Sequence, residues 1–93
     1  MPHIENMVNT GLVFENLWTA PTCTPTRGTM LTGKYGIKTN VLAVDDPLSL
    51  TEKPLQSYLP NEYTHAVIGK WHLSKDANHP NDIGIDYYAG LLS

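Results

Sequence analysis

The sequence predicts an α/β fold built from parallel strands with short helices, and three features carry that prediction. A helix-type segment at residues 51–59 is followed by an apolar run at residues 63–69. That order, helix then strand, builds an α/β layer. The run, with His65-Ala66-Val67-Ile68 at its centre, lacks the alternation of a half-exposed strand and reads as a strand of a parallel sheet covered on both faces. Lys70-Trp71-His72 follows at its carboxyl end, where open α/β sheets place their ligands.

The other elements follow in order. Residues 3–10 read as a short amphipathic helix, with Ile4, Met7 and Val8 at i, i+3 and i+4 and Gly11 ending it. Residues 12–18 are β-branched and aromatic enough to read as a strand. Pro21 marks a turn. A second helix begins near Cys23: Pro25 suits a first turn, where a missing N–H costs nothing, and Gly33 is a natural stop. Residues 34–40 read as irregular, residues 41–44 as a short apolar piece and Asp45-Asp46-Pro47 as a turn. Thr51 is the expected cap of the helix at 51–59, with Leu55 and Leu59 on one face. Residues 74–82 read as a polar loop.

Size and charge narrow the function. At 93 residues the chain makes at most one small domain with a modest core. A net charge of −3 argues against a nucleic-acid-binding face. No apolar run approaches the ~20 residues needed to cross a membrane, and the start lacks a basic region followed by an apolar stretch. A single cysteine excludes an internal disulfide framework.

That cysteine, Cys23, sits at or just before a helix N-terminus, where free backbone N–H groups and the dipole favour an anion. Arg27, one turn on, can return its guanidinium to the same spot and grip a tetrahedral oxyanion. Lys70 and His72, two apart, share one side of an extended backbone and could bind an anion and move a proton. Residue types alone leave plainer readings open. Cys23 could be an inert packed thiol or a redox-reactive one, Lys70 a surface charge and His72 a hydrogen-bonded structural histidine.

Resemblance to a known family decides among these. Cys23, Pro25 and Arg27, closing on Leu31-Thr32-Gly33-Lys34, resemble the nucleophile signature of the sulfatases of the alkaline-phosphatase superfamily. Thr26 stands where that signature usually has Ser, and Lys34 takes its final basic position. Pro2, Ile4, Gly11, Phe14 and Asn16 resemble the segment leading to that cysteine. Gly69-Lys70-Trp71-His72-Leu73 resembles a second family motif. Gly84-Ile85-Asp86, with Ile85 for the usual Phe, resembles a third. The matches run in family order over nearly the whole chain.

The resemblance implies a partial alkaline-phosphatase-like fold and sulfuric ester hydrolysis. It implies that Cys23 is oxidised to formylglycine by a formylglycine-generating enzyme that reads Cys23, Pro25 and Arg27. The hydrated aldehyde would attack the sulfur of a sulfate ester, and its second hydroxyl would expel sulfate. Cys23, once converted, would also be a calcium ligand. Arg27 would hold the nucleophile, Lys70 would contact sulfate or leaving-group oxygens, and His72 would assist proton transfer. The family's calcium site needs an Asp-Asp pair on a strand before the cysteine, yet only Glu5 and Glu15 are acidic there. Asp45-Asp46 comes after the nucleophile and reads as a turn. The expectation is therefore a single incomplete N-terminal segment, residues 1–93, without metal by itself and inactive alone. Alternatives are a non-catalytic remnant that binds at most an anion, or a phosphonate or phosphate monoester hydrolase. The uncovered sheet edges and apolar faces of such a segment make a homo-oligomer a further expectation.

Overall fold

Cys23–Thr32 forms helix α2, the element on which the site is built. The computed structural model describes residues 1–93. Thr22 enters α2 with extended backbone, and Pro25 lies in the first turn. The Thr26 hydroxyl donates to the carbonyls of Ala20 and Thr22, at 3.2 and 3.0 Å, fastening the preceding turn to the helix. Gly33 stops α2 in the left-handed region at φ 67°, its N–H bonded to the Thr29 carbonyl. One face of α2 is buried through Thr24, Pro25 and Gly28. At Gly28 the bare backbone lets Val41 and Leu73 pack close.

Helix α1, Pro2–Thr10, precedes this and buries none of its residues. After α2 come α3 (Gly36–Thr39), a 3-10 turn (Leu55–Tyr58), strand β1 (Ala66–Ile68), α4 (His79–Asp82) and strand β2 (Tyr87–Ala89). β1 and β2 pair in parallel, Val67 opposite Tyr88. Asp86 fixes the start of this pairing by accepting from the His65 backbone N–H at 2.7 Å. The ladder runs on past β1: Gly69 N–H bonds Ala89, Trp71 N–H bonds Leu91 and His72 N–H bonds Leu92. Residues 70–72 are thus held as an extension of the sheet.

The core is Val41, Leu48, Trp71, Leu73, Ile83 and Ile85. Trp71 crosses it edge-on to Tyr88. Its indole N–H donates to His79 Nδ1 at 3.2 Å, and His79 Nε2–H donates to the Leu48 carbonyl at 2.7 Å. The indole N–H only donates and the carbonyl only accepts, so both His79 nitrogens are satisfied with the proton on Nε2. No helix is long and apolar enough to cross a membrane.

This is a small α/β arrangement, and it departs from the sequence expectations in five places. Residues 12–18 form no strand, because no neighbour pairs with them; Leu12 and Trp18 are 81% and 92% exposed. The strand expected at 63–69 is limited to Ala66–Ile68 and is open rather than buried, since a two-stranded sheet covers neither face fully. The helix expected at 51–59 shrinks to Leu55–Tyr58, with Pro54 at its start. Thr51 instead turns back to Ser49, its backbone N–H bonded to the Ser49 hydroxyl at 3.2 Å. The irregular stretch at 34–40 contains α3, and the polar loop at 74–82 contains α4, which buries His79 and Pro80.

Candidate active site

Cys23 is the first residue of α2 and is exposed. His72 arrives from the sheet extension, and its Nδ1 lies 3.1 Å from Cys23 Sγ. Lys70 Nζ is 3.9 Å from the same sulfur. Arg27, half-buried one turn along α2, donates from Nη1 to the Lys70 carbonyl. Of the four side chains named from the sequence, His72 and Lys70 reach Cys23, and Arg27 reaches the backbone that carries Lys70. Arg27 differs from its expected use in one respect: one arm of its fork holds the backbone that carries Lys70.

A cavity of about 610 Å³ opens beside this cluster, with Cys23, Arg27 and Lys70 among its lining residues. Its remaining wall is largely apolar, including Met30, Leu31, Leu55 and Val67. His72 does not line it, so the sulfur lies between the cavity and the imidazole.

Sequence reasoning missed Asp45. Its Oδ1 is 2.8 Å from His72 Nε2, and its Oδ2 is 2.8 Å from Lys75 Nζ. The Lys75 ammonium, then the His72 ring, hold the Asp45 carboxyl below the ordinary carboxylate range. The turn reading was incomplete because only its neighbour is spent on the turn: Asp46 Oδ2 accepts from the N–H groups of Leu42 and Ala43. The available signal was a second, redundant acid in a tight turn, of a residue type that tolerates left-handed backbone.

Calcium takes six to eight oxygen ligands. The chain shows no group of three or more His, Cys, Asp or Glu side chains able to hold a metal ion. Both oxygens of Asp45, the carboxylate on His72, are already committed. The residues present do not make a calcium site by themselves.

The structure thus sets a nucleophile-capable thiol at the first residue of α2, with His72 and Lys70 beside it, in a small α/β framework. The chain belongs to the sulfatase family, whose profile matches residues 1–92. That family implies an alkaline-phosphatase-like α/β fold, of which this chain is a part. Among curated relatives, Arylsulfatase G of Mus musculus is 37% identical over 97 residues, covering 96% of this chain and 18% of the relative. Arylsulfatase J of Mus musculus is 33% identical, covering 98% and 17%. An ulvan-active sulfatase of Formosa agariphila is 34% identical, covering 97% and 19%. The chain thus spans about a fifth of the length of these relatives. No solved structure matches it.

Proposed function

We propose that residues 1–93 carry the nucleophile-bearing part of a sulfuric ester hydrolase site. The observation that supports this most is the convergence of His72 Nδ1 and Lys70 Nζ on Cys23 Sγ, 3.1 and 3.9 Å away. A formylglycine-generating enzyme would act on Cys23, which is exposed and flanked by Pro25 and Arg27. One hydroxyl of hydrated, converted Cys23 would attack sulfur as the ester S–O bond breaks and the alcohol leaves. The second hydroxyl would then lose its proton and re-form the aldehyde as the carbon–oxygen bond to sulfate breaks. His72 Nδ1 takes the proton from the group at residue 23. Lys70 stabilises negative charge on the sulfuryl oxygens, and Arg27 fixes Lys70 through its carbonyl while adding a second cation.

These residues do not make a calcium site by themselves, so the isolated chain is expected to bind anions without turning them over. A full-length arylsulfatase carrying residues 1–93 in place of its own segment tests the reading. It should hydrolyse an aryl sulfate in preference to the matching phosphate, and Cys23→Ala should abolish this. Turnover indifferent to Cys23→Ala contradicts the assignment, and a preference for phosphate moves it to the phosphate ester hydrolases.

A further inference from the structure

We propose that Asp45 is the positioning residue for His72, holding the proton on Nε2 so that a bare Nδ1 faces residue 23. The catalytic meaning of this rests on the sulfatase reading; the geometry does not. Asp45 Oδ1 and His72 Nε2 are 2.8 Å apart, and His72 Nδ1 is 3.1 Å from Cys23 Sγ. An ionised carboxylate only accepts, so Nε2 must donate to it. In the neutral ring the other nitrogen is then an acceptor, aimed at the group whose proton has to leave. The ring is buried, 8% exposed, and spans the gap between Asp45 and Cys23.

Three further observations separate this from a chance surface pair. Asp45 and His72 both adopt left-handed backbone, at φ 70° and 56°, and their side chains meet. Such conformations are unfavourable for non-glycine residues and persist where the surroundings hold them. The turn does not need Asp45, because Asp46 already satisfies its N–H groups. Lys75 occupies the second carboxylate oxygen at 2.8 Å, leaving Oδ1 to the imidazole alone. The Asp45 N–H reaches the Thr24 hydroxyl at 3.4 Å, which ties the turn to the helix end that carries Cys23.

Imidazole ¹⁵N–¹H NMR on the labelled 93-residue chain, at alkaline pH where the ring is neutral, tests this directly. His72 signals are those lost in His72→Gln. The wild-type chain should show His72 protonated on Nε2, with a slowly exchanging downfield N–H proton. Asp45→Ala should lose that proton signal to exchange, and Asp45→Asn, which keeps an acceptor oxygen, should restore it. The indole N–H of Trp71, bonded to His79 across the core, reports whether each variant is folded. A proton on Nδ1 in the wild-type chain overturns the proposal whatever the variants do. So does an Nε2–H signal unchanged in folded Asp45→Ala. These spectra need no turnover, so an inactive chimaera with an Nε2–H signal rejects the hydrolase reading alone, while an active one with Nδ1–H rejects only the role of Asp45.

Discussion

Cys23 Sγ and His72 Nδ1 stand 3.1 Å apart although 49 positions separate them along the chain. One sits on a helix end and the other on an extension of the sheet, so the contact exists only when α2 lies against residues 70–73. His72→Asn in the chimaeric arylsulfatase should therefore lower kcat by about 10²–10⁴, the usual worth of a general acid or base. Far-UV circular dichroism should stay unchanged. An effect confined to KM would place His72 in binding rather than proton transfer.

Arg27 is bound to the Lys70 carbonyl, so its removal should loosen the chain that carries both Lys70 and His72. Arg27→Met should cost about 1.5–3 kcal/mol, the range for a hydrogen bond to a charged group. Urea denaturation followed by Trp71 fluorescence measures this. Arg27→Lys should recover little of it, because an ammonium lacks the planar fork.

Two glycines should respond in opposite directions to alanine. A Cβ at Gly28 would meet Val41 at 3.6 Å and Leu73 at 3.8 Å, ordinary contact distances. Gly28→Ala inside α2 should stabilise the chain by about 0.5–1 kcal/mol through backbone entropy. A Cβ at Gly90 would collide with the Gly69 carbonyl oxygen, which accepts from Leu91 N–H. Gly90→Ala should break the ladder beyond β2 and release residues 70–72. Melting temperatures of the two variants, above and below wild type respectively, check this.

Two ion pairs give stability at opposite ends of the pH scale. Asp45 titrates below the ordinary carboxylate range in the folded chain, through Lys75 and His72. Its contribution is therefore present above about pH 4 and is lost as pH falls further. Lys34 is held above the ordinary lysine range, chiefly by its hydrogen bond to Glu52 at 2.6 Å. Its contribution is complete below about pH 10.5 and is lost as pH rises beyond that. Asp45→Asn should flatten the acid limb of a melting-temperature profile, and Lys34→Met the alkaline limb. Both pairs are exposed enough for added salt to shrink the effects.

The site was more legible in the sequence than the fold around it. Cys23, Pro25, Arg27 and Gly33 encode a local structure, a helix with a set start and stop, and that structure forms as read. Lys70 and His72 follow an apolar strand, so their arrival at its carboxyl end was also legible. Strand pairing was not. Residues 12–18 have strand composition, but a strand exists only with a neighbour to bond, which periodicity cannot supply. Asp45 was hidden for a related reason. Its partner lies 27 residues away, and its left-handed backbone shows in no spacing rule.

On the proposed function, Cys23, Arg27, Lys70 and His72 together receive one sulfuryl group. Titrating inorganic sulfate into the ¹⁵N-labelled chain tests it most directly. Saturable amide shifts should concentrate at residues 23–28 and 70–72, with affinity reduced about tenfold in Lys70→Met, the loss of one charged contact. Shifts scattered over the surface, or an affinity that Lys70→Met leaves unchanged, would contradict it.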